Sequence, residues 1–402
     1  VESVEIDDRN ATKHSSEAAM ANHFSYVRKN RIGIAALSIL LGGLIIHAQE
    51  KQARVAPNAS CKVVQPRGYS AIFTDKAIKI DGKLDDPAWL EAAWTEDFGD
   101  IQGEARPAPR YRTRAKMSWD ADYFYVGARL EEPHVWGTLT KHDSVIFQDN
   151  DFEIFIDPDG DNHQYLELEI NALNTEWDLR LVKAYRDGGP ALNEWEVPGL
   201  KTAVAVEGTL NDPTDQDTAW TVEWAIPWKV LAEFAARRSP PAPGDTWRVN
   251  FSRVEWRHTI EKDGKYKKIP GFPEENWVWS PQGRIDMHRP ELWGHVRFVK
   301  TADEAKKPVV AEDQAARWWL LEVYDAQKGY IGREKKYATT LEQLGLKPPA
   351  ESGWKFEMKS QPDGSNYSAK ITLDRPGRKP LTLEMQSDSK ITRTPSWDDD
   401  SH

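Results

Sequence analysis

A single cysteine, Cys61, stands in the whole chain of 402 residues, which excludes an intrachain disulfide and any metal cluster built on cysteine. Positive charge is also in deficit. The 53 Lys and Arg against 64 Asp and Glu leave a net charge of -11, a field that repels a phosphate backbone and sets nucleic acid aside as a partner. Long apolar runs are scarce. The run Ile32–Ile46 is short for a membrane span of about 20 residues. It follows Arg28, Lys29 and Arg31 and ends at Ile46-His47-Ala48, the order of basic, apolar and small residues that marks a secretory signal peptide. The histidines show no HExxH spacing and no GxSxG turn occurs, so neither zinc-protease nor serine-hydrolase chemistry is indicated.

Tryptophan, by contrast, is abundant: of 18 residues, 14 fall between Trp89 and Trp293. An indole offers a flat apolar face and one N–H donor, so a surplus in one region points both to core and to an aromatic binding surface. The same region alternates polar and apolar residues in short runs separated by turn residues, the pattern of a sandwich or barrel. Strands are predicted at 77–81, 112–119, 123–131, 152–157, 165–171, 177–183, 201–207, 219–226, 247–254 and 292–298. Asp86-Pro87 opens a short helix, with Asp at the cap and Pro at the first position, and 227–231 reads as another. The organisation that follows is an N-terminal extension and signal peptide over 1–48, a linker over 49–67 and an antiparallel, jelly-roll-like β-sandwich with short helices over 68–300. A charged linker over 301–313, a small α+β appendage over 314–386 and a disordered tail over 387–402 complete it.

Alternation also sorts side chains onto faces. Phe152, Ile154 and Ile156 point one way, Asp151, Glu153, Phe155 and Asp157 the other. Leu166, Leu168 and Ile170 oppose Glu167, Glu169 and Asn171; Trp220, Val222, Trp224 and Ile226 oppose Thr221 and Glu223. If these strands are neighbours, carboxylates and amides gather on one sheet face, where they hold a polyhydroxylated ligand or simply meet solvent.

The stretch Phe147-Gln148-Asp149-Asn150-Asp151-Phe152-Glu153-Ile154-Phe155-Ile156-Asp157-Pro158 is similar to the segment of family 9 carbohydrate-binding modules in which an aromatic residue precedes an acidic pair and a strand. Glu169-Ile170-Asn171-Ala172-Leu173-Asn174 resembles their next polar strand. Ile80–Trp89, Trp277–Pro281 and Pro290–Gly294 resemble their opening and closing segments. The resemblance spans a little over half the chain. It implies two aromatic rings that sandwich a sugar, with polar side chains on its hydroxyls. Position by position it implies Phe147 as the first ring, Trp256 or Trp279 as the second, Glu153 as an acceptor, and Asn171 and Asn174 as amide contacts. Phe147 replaces a Trp, and Glu169 stands where the family has an Arg, which exchanges a rigid donor fork for an acceptor. The family's structural calcium directs attention to Asp157-Pro158-Asp159-Gly160-Asp161-Asn162, where Asp157, Asp159 and Asp161 are candidate ligands. The same residues also read as a tight Asp-Gly turn.

Taken together, the sequence reads as a secreted or periplasmic protein that binds an oligo- or polysaccharide in carbohydrate catabolism. It contacts the membrane only through its N-terminal segment and uses no cofactor other than structural calcium. One alternative is a glycoside hydrolase drawing its carboxylate pair from Glu153, Glu167, Glu169 and Glu223. Another is a structural envelope protein that kept the fold without the site.

Overall fold

The computed structural model describes residues 65–349 and 353–400. The signal-peptide segment and Cys61 lie outside these residues. All of them belong to one compact unit, Val63–His402. Among them, no helix is long and apolar enough to cross a membrane.

The fold is mainly β. Strands β1 (Gly68–Phe73), β2 (Gly99–Asp100), β3 (Thr113–Trp119) and β4 (Tyr123–Glu131) come first. β5 (Asp151–Asp157), β6 (His163–Asn171), β7 (Glu176–Lys183) and β8 (Ala191–Leu192) then form a meander. β9 (Lys201–Glu207), β10 (Ala219–Pro227) and β11 (Thr246–Glu255) follow, with the hairpin β12 (His258–Ile260) and β13 (Tyr266–Lys268), then β14 (Glu275–Val278) and β15 (Gly294–Val299). All but the hairpin join one 13-stranded sheet, whose main path runs β8-β7-β6-β5-β11-β15-β1-β3-β4-β10-β9, with β14 and β2 attached at β11. The largest core draws Phe152, Ile154 and Ile156 from β5, Leu166, Leu168 and Ile170 from β6, and Trp220, Val222, Trp224 and Ile226 from β10. These strands lie far apart along the path, so the sheet curls until its halves face each other across a shared core. The inward faces are those that alternation predicted. Each fully buried aliphatic or aromatic side chain there contributes about 1.5–3 kcal/mol.

The expected wholly antiparallel arrangement is not what forms. β1 runs parallel to both β15 and β3. A parallel pair needs a long crossover, and between β1 and β3 the chain supplies one that includes helix α1 (Pro87–Glu91). The predicted strand at 77–81 is not a strand either. Its apolar residues Ile78 and Ile80 instead pack, with Leu84, against Trp89 and Tyr125 on the outer side of the sheet. Alternation there records two contacts and not a ladder.

After α2 (Trp228–Leu231) and α3 (Ala302–Ala305), the 21-residue helix α4 (Gln314–Glu334) packs on a second sheet, β16 (Trp354–Ser360), β17 (Tyr367–Leu373), β18 (Leu381–Gln386) and β19 (Ile391–Thr394). The tail expected to be disordered supplies β19, paired with β18, and the short helix α5 (Trp397–Asp400). Its polar composition concealed two anchors. The Trp397 indole donates to the Asp159 carbonyl at 2.9 Å under the guanidinium of Arg393, and Arg375 holds Asp400 at 2.7 Å. The charged stretch 301–313 separates nothing, because Asp313 is buried and binds Arg317 of α4 at 2.8 Å.

Candidate functional site

Register brings the carboxylates together. Glu153 of β5 stands directly opposite Glu169 of β6, Asp151 opposite Asn171 and Phe155 opposite Glu167, while Ser252 of β11 stands opposite Glu153 on the other side. The outward face of β5 and β6 therefore carries Asp151, Glu153, Glu167 and Glu169 side by side. It is not a solvated face, since all four are buried. Covering it are Trp177 from β7, the loop carrying His288, and Trp293, whose ring lies 5.5 Å from that of Phe155. Like charges directly across a ladder repel. Burial, and next to it the charge of Glu153, pushes the carboxyls of Asp151, Glu167 and Glu169 well above the usual carboxylate range. Two basic groups approach this cluster. His288 Nε2 lies 4.0 Å from Glu167, and the Lys268 ammonium, which feels Asp151 and Asp149, is lowered by burial to about 8.

Two of the predicted rings meet at the rim of the cluster. Phe147 sits in a 3-10 turn, Ile146–Gln148, and its N–H donates to Glu169 Oε2 at 2.9 Å. The Trp256 indole donates to the Phe147 carbonyl at 2.8 Å, and the Trp256 N–H donates to Asn150 Oδ1, also at 2.8 Å. Both rings are partly exposed. Phe147 stacks on Trp177 with centroids 6.4 Å apart, and Lys268 Nζ lies 3.6 Å over Trp256. Trp279 is elsewhere: it is fully buried in the main core against Phe251 and has no face to offer a ligand.

The amides divide as well. Asn171 is fully buried with all four hydrogen-bonding positions taken. Its Nδ2 donates to Leu139 O and Asp149 Oδ2, and its Oδ1 accepts from the N–H groups of Leu173 and Thr175. Asn171 is thus the clamp of the turn that follows it and has nothing left for a sugar. Asn174, at the tip of that turn in a left-handed conformation, is exposed. It borders two grooves, one of about 500 Å³ lined also by Tyr125, Glu176, Lys201 and Thr202, the other of about 430 Å³ lined also by Thr140, His142 and Glu176. Sequence reasoning missed Lys268, Ser252 and Lys201, which lie on strands whose partners alternation cannot name.

Glu223 stands apart from the other carboxylates, on β10. It accepts from the N–H groups of Asp81 and Gly82 and from the Trp89 indole, so it pins the α1 crossover and cannot pair with Glu153 or Glu169 across a cleft.

The Asp157–Asn162 loop brings three carboxylate oxygens within 4.8 Å of one another, yet each of the six has a partner. Asp157 accepts from Gly160 N and Asn162 N, Asp159 from Asp161 N and Ala236 N, and Asp161 from His163 N and Lys390. The carbonyls of Asp159, Gly160 and Asp161 are likewise taken by Trp397, Arg317 and Ile391. The loop is a closed turn that docks the C-terminal sheet.

Residues 80–242 match the family model described as carbohydrate family 9 binding domain-like. Among solved structures, a carbohydrate binding module family 9 from Caldicellulosiruptor kristjanssonii in complex with cellotriose is 15% identical with a TM-score of 0.39, over 61% of this chain and 100% of that one. The module from the same organism in complex with glucose is also 15% identical with a TM-score of 0.39, over 60% and 100%. A Bacteroides uniformis protein named as carbohydrate-binding is 17% identical with a TM-score of 0.44, over 58% and 99%. No curated protein matches the chain.

Proposed function

We propose that the chain, whose residues 80–242 match the carbohydrate family 9 binding domain-like model, binds a saccharide at the rim formed by Phe147 and Trp256. The observation that carries this reading is the pairing of those two partly exposed rings, joined by the Trp256 indole bond to Phe147 O, above Glu153 and Glu169. A pyranose ring presents apolar C–H faces to aromatic side chains and hydroxyls to acceptors, and this rim offers both kinds of partner. Trp256 already carries Lys268 on one face, so one stacking face and one ammonium donor are available together.

The test is calorimetric titration with cello-, xylo- and manno-oligosaccharides. Trp256→Ala is expected to weaken binding about tenfold, the scale of one aromatic stack, while the melting temperature changes little. Trp279→Ala is expected to cost about 3–5 kcal/mol of stability as a core truncation. Heat from none of the oligosaccharides, or equal affinity in Trp256→Ala, refutes the assignment. Export of the chain belongs to the same reading and rests on the order Arg28, Lys29, Arg31, Ile32–Ile46 and Ala48. Fractionation that finds the protein inside the cytoplasmic membrane removes it.

A further inference from the structure

The acidic face of β5 and β6 poses a problem of charge that saccharide binding does not solve. Asp151, Glu153, Glu167 and Glu169 are each 6% exposed or less. Gathering buried carboxylates at one place is costly, because burial and mutual repulsion both disfavour their charged form. The basic neighbours are few: His288 reaches Glu167 only at 4.0 Å, and Lys268 is itself depressed by burial. Asp151 Oδ1 accepts from Val254 N–H at 3.1 Å, which leaves Oδ2 for the cluster. Among the described residues, Oδ2 has no hydrogen-bond partner although Asp151 is fully buried, and the same is true of the Ser252 hydroxyl opposite Glu153. A buried hydroxyl and a buried carboxylate oxygen, both without partners, turn towards one group of carboxylates here, and oxygen donors of these kinds suit a hard cation.

The dimensions fit one ion. An oxygen from each of Asp151, Glu153 and Glu169 lies within 4.8 Å of the other two. Three carboxylate oxygens this close together can share one hard cation, which takes oxygen ligands at about 2.0–2.6 Å. We propose that Asp151, Glu153 and Glu169, with the Ser252 hydroxyl, hold a hard divalent cation in the floor beneath Phe147 and Trp256. The ligands come from three adjacent strands, so the ion cross-links β6, β5 and β11.

This site shares Glu153 and Glu169 with the proposed saccharide rim, and its test uses no sugar. The full chain, stripped with chelator, is titrated separately with CaCl2 and MnCl2 while its melting temperature is followed. Calcium and manganese are expected to bind saturably and raise the melting temperature. Asp151→Asn and Glu153→Gln should abolish that binding, Ser252→Ala should weaken it several-fold, and the Asp159→Asn/Asp161→Asn double variant should retain it. Each neutral amide also relieves a buried charge, so in chelator both variants should melt no lower than wild type. Absence of saturable calcium and manganese binding in the wild type overturns the proposal and requires no variant. Binding kept by both Asp151→Asn and Glu153→Gln, or lost only in the Asp159/Asp161 variant, overturns it too. Saccharide titrations with and without the ion report on the rim separately, so either reading can fail alone.

Discussion

His295 shows how one side chain ties this molecule to pH. Its ring lies among Arg248, Arg317, Asp313 and Gln314, with Nε2 3.2 Å from Gln314 Oε1. Burial, and then the charge of Arg248, lowers it to about 3. The folded state therefore binds fewer protons than the unfolded state between that value and the ordinary histidine range. The stabilisation is present above about 6.5 and is lost as pH falls towards 3. At pH 5 this loss amounts to about 2 kcal/mol. His295→Gln should flatten the difference between urea denaturation at pH 7 and pH 5; an unchanged pH slope contradicts the assignment. Size is the constraint at Gly294, where an added Cβ would press into the Trp279 ring. Gly294→Ala should thus destabilise by about 1–3 kcal/mol through overpacking, measured by the shift of the denaturation midpoint.

Among the elements, α4 and the β5–β6 turn depend on each other. Arg317 of α4 binds Asp313 at 2.8 Å and the Gly160 carbonyl at 2.6 Å, with both charged side chains buried. Removing the guanidinium leaves a buried carboxylate and a buried carbonyl without their donor. Arg317→Ala is expected to cost about 3–5 kcal/mol, far above the scale of an exposed ion pair. A loss below 1 kcal/mol in chemical denaturation would show that water replaces the arginine. The same contact explains why the Asp-Gly turn looked like a metal loop in sequence. Aspartates and glycine give a tight, oxygen-rich turn in either case, and one of its carbonyls, that of Gly160, is taken by a helix more than a hundred residues downstream.

As a whole, Val63–His402 forms one unit in which the small sheet is not an independent appendage. Leu292, just before β15, packs in the core of the C-terminal layer with Leu320, Leu321 and Tyr324. The Tyr324 hydroxyl donates to Asp187 at 2.7 Å, and Asn162 donates to Ser389 O at 2.9 Å. Shared core and buried polar contacts of this kind couple the two sheets. Tryptophan fluorescence, dominated by the large sheet, and far-ultraviolet circular dichroism should consequently report coincident melting transitions. Two separated transitions would show that the layers unfold independently.

Much of this was written in short-range pattern. Period-two alternation alone placed β4 and β9 at their observed bounds and assigned the inward faces of β5, β6 and β10, because a side chain's face depends only on its position within its own strand. The resemblance to family 9 modules, and not alternation, singled out Phe147, Glu153 and Glu169, which the fold gathers at one place. Pairing decided the rest. Whether the outward face of β5 and β6 met water depended on Trp177 of the next strand and on His288 and Trp293, brought over it from a distant part of the chain. Trp256 and Trp279 are the same residue type, and nothing local distinguishes them. One ended at the rim and the other in the core because β11 and β14 pair as they do. Asn171 likewise carried a binding residue's signature, yet its amide was consumed by the turn it closes. Local sequence fixes which way a side chain points, but its partners are set by long-range register, and those partners decide whether a polar group is spent on the fold or left for a ligand.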